Sequence, residues 1–334
     1  MRIALIVSII GSLVSFHLFT SIAGLPASAQ RGYAQTDSTG DPFTFVDAEG
    51  TERAVITVIE FQDPFDDFAE GYVPTEGTRV VMITVSYENT GPGPFETRPD
   101  HIVLRDTDGY LWSPASVQRS EDIEVPDLGY VQTAPGDRLS GMVAFQLPSE
   151  SEIASVLLTP ESSRLLLLAD LDPNPEPAPE PGTATTYQVP EVGSEGVITV
   201  TEILDPFADF PEGGDPEDGA RYVVVTITIE NTGSVPLSVQ PGNVLIYDGD
   251  GYLWSYASVP RGDDVAIPDL QSQELAPGSR ISGVVGFLIP EDSNVSAIIL
   301  QPESGRVIMI AQLQPTENDG DATPIPKLGI VERQ

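Results

Sequence analysis

The chain has 334 residues, 40% of them hydrophobic, and no cysteine, so its cores form without disulfides and a thiolate nucleophile or cysteine metal site is excluded. Its 51 Asp and Glu stand against 15 Lys and Arg, a formal net charge of −36. A field that negative repels phosphate backbones and anionic lipid, so no nucleic-acid or membrane-surface partner is expected; solubility, or a saline or acidic habitat, is its plain use.

Residues 1–29 read as a signal peptide. Arg2 gives a positive start, an almost unbroken apolar run extends from Ala4 to Gly24, and Ala27-Ser28-Ala29 supplies the small-x-small pattern cut by a signal peptidase. The run approaches the ~20 residues that span a bilayer, so an uncleaved N-terminal anchor is the alternative. Either way the protein is placed outside the cell, secreted or at the surface.

Next come two copies of one pattern, expected over residues 41–172 and 187–314. A shift of 142 residues aligns the chain with itself without a gap. Glu88-Asn89-Thr90-Gly91 returns as Glu230-Asn231-Thr232-Gly233, and Asp108-Gly109-Tyr110-Leu111-Trp112-Ser113 as Asp250-Gly251-Tyr252-Leu253-Trp254-Ser255. Ala134-Pro135-Gly136 returns as Ala276-Pro277-Gly278. Within each copy, apolar residues alternate with period two, as in Val81, Ile83, Val85 and Tyr87. Strands are expected at Val55–Phe61, Arg79–Tyr87, His101–Arg105, Tyr110–Ser113, Arg138–Leu147, Ile153–Leu158 and Arg164–Leu168, separated by Asn-Thr-Gly, Asp-Gly and Pro-Gly turns. The fold class is therefore all-β: two tandem immunoglobulin-like β-sandwiches.

Residues 173–186 read as a Pro- and Glu-rich linker. Its alternating prolines favour extended polyproline II, which over eleven residues at ~3.1 Å each would hold the copies up to roughly 30 Å apart and let each fold alone. Residues 315–334 read as a disordered tail.

A strand ending in Glu-Asn-Thr-Gly, then Asp-x-Asp-Gly-Tyr, then Ala-Pro-Gly-x-Arg-x-Ser-Gly leading into Val-x-Phe, resembles a family of bacterial secreted immunoglobulin-like domains of unknown function. These are sometimes labelled telomeric repeat-binding-factor-like, and are similar in fold to the mycobacterial immunoprotective extracellular antigen. The resemblance covers about residues 50–172 and 192–314. It implies an extracellular module, often tethered to the envelope, without an established active site. The telomere label finds no support in a chain this acidic.

Four sets of residues are candidates for chemistry or contact. Asp106 and Asp108, with Asp248 and Asp250, are carboxylate pairs followed by glycine, a hard-oxygen arrangement suited to Ca²⁺. Asp122 and Asp127, or Asp264 and Asp269, would have to approach the same end. The competing reading is a tight turn in which Asp-Gly supplies positive φ. Tyr110 with Trp112, and Tyr252 with Trp254, would stack on a sugar or partner if outward and fill the core if inward. Phe65 and Phe68, with Phe207 and Phe210, sit in acidic loops as either partner contacts or a cap on the sandwich. Arg79, Arg119, Arg138 and Arg164 return as Arg221, Arg261, Arg280 and Arg306, and intramolecular pairing is their expected use.

Nucleophilic catalysis by a Ser/His/Asp set in each copy is excluded, because His101 is replaced by Asn243 in the second. No cofactor is expected beyond the candidate calcium. The leading expectation is a non-catalytic binding or adhesion module whose partner is an unknown protein or glycan of the cell exterior. The alternatives are a structural spacer of the envelope and, more remotely, a carboxylate-dependent polysaccharide hydrolase.

Overall fold

The computed structural model describes residues 40–173, 175–262 and 266–313; the expected signal peptide and tail lie outside them. The first copy runs β1 (Pro42–Val46), β2 (Glu52–Gln62), β3 (Thr78–Glu88), β4 (Phe95–Thr97), β5 (Ile102–Asp106), β6 (Leu111–Trp112), β7 (Val131–Thr133), β8 (Arg138–Pro148), β9 (Ile153–Leu158) and β10 (Leu166–Asp170). The second repeats it as β11 (Ala184–Val189), β12 (Ser194–Leu204), β13 (Ala220–Asn231), β14 (Leu237–Val239), β15 (Val244–Asp248), β16 (Leu253–Trp254), β17 (Gln273–Leu275), β18 (Arg280–Pro290), β19 (Val295–Leu300) and β20 (Ile308–Gln312). In each copy one sheet has the order β1-β2-β3-β8 (β11-β12-β13-β18) and the facing one β10-β9-β5-β6 (β20-β19-β15-β16), with a small β4-β7 (β14-β17) ribbon. All strand pairs are antiparallel. The chain is all-β, and its architecture is a tandem of β-sandwiches.

The period-two pattern explains the cores. Val81, Ile83, Val85 and Tyr87 of β3 point between the sheets, where they meet Leu104, Val156 and Leu168. In the second copy Val225, Ile227 and Ile229 meet Ile246, Ile298 and Ile310. The Asn of each Asn-Thr-Gly turn is a buried clamp. Asn89 donates Nδ2 to the carbonyls of Gly93 and Thr133 and accepts from Gly91 N–H, and Asn231 repeats this with Val235, Leu275 and Gly233.

Strands β1, β4 and β7 were not expected. Each is short, and β1 begins at a proline, so no alternation marks it. β11 starts at Ala184, inside the segment read as linker.

Tyr87 shows where one copy departs from the other. Its ring fills the core beside Phe95, but its hydroxyl is buried without a hydrogen-bond partner, where the second copy has Ile229. Tyr87→Phe removes that desolvation cost while keeping the ring, so it should leave the protein equally stable or more stable by up to about 1 kcal/mol. Denaturant midpoints of the two proteins check this, and a loss of stability would point to a partner for the hydroxyl.

Candidate interaction site

The separation expected of the linker is overturned. Both copies lie within one compact unit, Gln35–Gln334, and they touch through the outer faces of their second sheets. β5 is buried along its whole length: Ile102 and Leu104 serve its own core, while Val103 and Arg105 face outward and are still covered. Ser155 and Leu157 of β9 are covered in the same way. The cover is the other copy. Leu165 and Leu111 of the first copy pack with Leu245, Tyr247, Ala297, Ile299, Val307 and Met309 of the second. Apolar burial on both faces outweighs whatever stiffness a proline-rich connection offers. The linker is docked as well: Ala178 packs on this same cluster, and Gln312 N–H of β20 donates to the Pro179 carbonyl.

Backbone pairing makes the contact reciprocal. Leu111 N–H donates to Gly305 O at 2.7 Å and Val307 N–H to Gly109 O at 2.9 Å. Shifted by 142 residues, Leu253 N–H donates to Ser163 O at 2.7 Å and Leu165 N–H to Gly251 O at 2.8 Å. Each set is a short antiparallel bridge, Tyr110 opposite Arg306 and Tyr252 opposite Arg164. A surface that meets its own repeat in this way is isologous, the relation found in a two-fold dimer.

Side chains complete this clasp. The Arg306 guanidinium lies 4.7 Å from the Tyr110 ring centroid, donates Nε to Asp108 O and Nη1 to Gln188 O, and pairs with Glu303. Arg164 lies 4.7 Å from the Tyr252 ring, and donates Nε to Asp250 O and Nη1 to Val46 O. Tyr110 donates its hydroxyl to Glu303 and Tyr252 to Glu161. These two arginines are thus clasp residues rather than members of surface pairs. The other arginines do pair locally: Arg79 with Asp63, Arg221 with Asp205, Arg119 with Asp127, Arg261 with Asp269 and Arg138 with Glu88.

The Asp-x-Asp-Gly segments are turns built for this contact. Asp106 is buried and accepts Tyr110 N–H on Oδ1 and Trp112 Nε1–H on Oδ2; Asp248 does the same with Tyr252 and Trp254. Protein donors thus hold both oxygens of each carboxylate. Asp127 and Asp269 are turned to Arg119 and Arg261 instead of toward these turns, and Asp264 lies outside the described residues. Among the described residues, no group of three or more His, Cys, Asp or Glu is gathered where a metal ion could be held. Asp108 and Asp250 occupy the turn tips, where their carbonyls receive the clasp arginines. Burial raises the pKa of Asp106 and Asp248, opposed by the hydrogen bonds from Trp and backbone.

Trp112 and Trp254 are half-buried against their own cores, tethered through Nε1, and each stands beside the tyrosine that enters the clasp. Phe65 and Phe207 are buried, and Phe68 and Phe210 half-buried beside them. Phe65 packs with Val80, Met82 and Met142 on the outer face of the first sheet, and Phe207 with Tyr222, Val224 and Val284. Their geometry is that of a cap, not of an exposed contact surface.

Sequence reasoning missed the clasp, although a signal was present. Val-Leu-Leu in β9, Leu165 to Leu168 before and within β10, and Ile-Ile-Leu in β19 are continuous apolar runs rather than alternating ones. Unbroken runs mark strands buried on both faces.

Burial raises the pKa of Tyr110, Tyr187 and Tyr247, each to about 12. In the unfolded chain a tyrosine ionises near 10. Above that pH the unfolded state has lost protons the folded state keeps, so stability falls as pH rises. Unfolding free energy should therefore be flat with respect to these groups below pH 9 and fall steeply between about pH 10 and 12. Urea titrations at spaced pH values check this, and a flat alkaline limb would contradict it.

Residues 195–306, most of the second copy, match the model of a domain of unknown function (DUF4352). The match agrees with the resemblance to domains of unknown function; it does not extend to the telomeric label or the immunoprotective antigen. No curated protein matches the chain. Among solved structures, the chain is similar to a "putative lipoprotein (ycdA)" from Bacillus subtilis subsp. subtilis str. 168, at 16% identity and a TM-score of 0.29. That likeness covers 39% of this chain and 38% of the other, and at such a score it carries no argument. Among the described residues no helix is long and apolar enough to cross a membrane.

Proposed function

We propose that the chain is a non-catalytic interaction module of the cell exterior that presents two equivalent sandwiches, in a fixed two-fold relation, to a protein or glycan. The observation that carries this reading is the reciprocal clasp. A connection that merely tethers two domains leaves their spacing to the linker, whereas cross-copy bridges at 109–111 and 251–253 fix it. Fixed spacing lets a second binding event follow the first at high effective concentration without the ordering cost of a flexible tether. The candidate acids support a non-catalytic role, because Asp106 and Asp248 are committed to turns and to tryptophan. Export is supported by the signal-like residues 1–29.

The test immobilises the full chain and exposes it to solubilised envelope fractions and a glycan array. A ligand retained at two sites per chain, released faster from a clasp-broken variant than from the wild type, is the expected result. Absence of any retained component would replace this reading with that of a ligand-free spacer, and release of reducing ends from a polysaccharide would replace it with hydrolysis.

A further inference from the structure

The clasp is two-fold in its backbone but not in its side chains. At 105 the first copy has Arg where the second has Tyr247, and at 155 it has Ser where the second has Ala297. All four are buried, Arg105 at 3% exposure. Arg105 donates Nε to Ser155 Oγ, so the two polar residues of the first copy form one unit. Opposite them, Tyr247 packs in the apolar cluster and donates its hydroxyl to the Leu165 carbonyl of the first copy. Arg105 and Tyr247 act electrostatically on one another across the clasp.

We propose that Arg105 sets the pairing choice of these faces: it admits the second copy, refuses another first copy, and so closes the chain on itself instead of letting it join end to end. An isologous surface has an inherent hazard, because each copy presents the shape its own kind accepts. First-copy faces pairing between chains, and second-copy faces likewise, would propagate a filament. At positions related by the two-fold relation, a first-with-first pairing would set two covered guanidinium groups against each other. Like charges in a dry interface repel and keep their full desolvation cost. In the observed pairing, a neutral phenol faces the single guanidinium. Burial draws the pKa of Arg105 down to about 10, while Asp170, Asp106 and Asp172 of its own copy favour the charged form. The second-copy face is apolar apart from Tyr247 and carries no such barrier to self-pairing. One charged position is a familiar way to reject a wrong partner at modest cost in stability.

The test uses the folded chain with a protease site inserted in the exposed stretch at 175–177. After nicking, the halves are mixed with mass-labelled nicked protein, loosened in mild urea, returned to buffer and counted by native mass spectrometry. First-with-second pairs should dominate, second-with-second pairs should be minor, and first-with-first pairs should fall about tenfold or more below their statistical share, the effect of one unrelieved like-charge contact. Arg105→Tyr should raise first-with-first pairs to within about threefold of that share. Should that variant fail to fold, Tyr247→Arg tests the same idea from the other side, by lowering first-with-second pairs about tenfold or more. First-with-first pairs at their statistical share in the nicked wild type would overturn the proposal. So would a folded Arg105→Tyr that forms none, or a Tyr247→Arg that pairs like the wild type.

Discussion

Replacing Leu165 by Asp will split the unfolding of the chain into two steps. Leu165 sits where the copies meet. Its N–H and carbonyl are both used across the clasp, by Gly251 and Tyr247, and its side chain belongs to the apolar cluster shared by both copies. A carboxylate there has no cation placed to receive it, and it replaces an apolar side chain that leaves only 7% of itself exposed. The combined loss of apolar burial and cost of a buried charge is about 3–5 kcal/mol. That falls on the contact between copies and spares both internal cores. The wild type should therefore melt as one transition in calorimetry, and Leu165→Asp as two, the earlier one displaced downward. Leu147→Asp, deep within the first core, provides the contrast: it should unfold that copy outright. A single unchanged transition in Leu165→Asp would mean the clasp contributes nothing to cooperativity.

The second large effect is expected at Gly251. Its φ is +87°, and a Cβ built there would meet the Leu165 carbonyl of the other copy at 2.6 Å. Gly136 has nearly the same φ, +86°, with nothing within 4 Å of its Cβ position. The pair separates two costs. Gly136→Ala carries only the backbone penalty of left-handed φ, about 1–2 kcal/mol. Gly251→Ala carries that plus a steric conflict with backbone that cannot rotate away, which adds a further ~1–3 kcal/mol. Chemical denaturation of the two variants should therefore rank Gly251→Ala clearly below Gly136→Ala. Equal losses would show that the Asp-Gly turn is only a turn, and that the close approach across the clasp is not needed.

Much of the fold was legible in the sequence because sandwich strands write themselves as alternation. Val81, Ile83, Val85 and Tyr87 were assigned to one face, and they line the first core. The repeat offset carried each assignment to the second copy. What escaped was the relation between copies. The prolines of the linker were read as a spacer, since their conformational preference is local and easily recognised. The continuous apolar runs of β9, β10 and β19 outweigh it, and their meaning appears only when both faces of a strand are counted. The site shows the same division. Aspartates followed by glycine in an acidic chain suggested a cation; Asp106 and Asp248 instead accept from a tryptophan ring nitrogen six residues on. The sequence contained that tryptophan at the same spacing in both copies, but not the direction its nitrogen would point. Arg164 and Arg306 looked like the other arginines, and only the structure lifts them off the surface and stacks them on tyrosines of the opposite copy.

Amide hydrogen exchange at the four cross-copy N–H groups, those of Leu111, Leu253, Leu165 and Val307, tests the clasp most directly. Each donates to a carbonyl of the other copy at 2.7 to 2.9 Å. If the copies are held as one body, these amides exchange only when the whole molecule opens, as slowly as Val85 or Ile227 in the two cores. They should also lose that protection in Leu165→Asp while the core amides keep theirs. Exchange of the four amides in the wild type at the rate of the exposed turn at Gly136 would contradict the account, and leave two sandwiches joined by nothing but their linker.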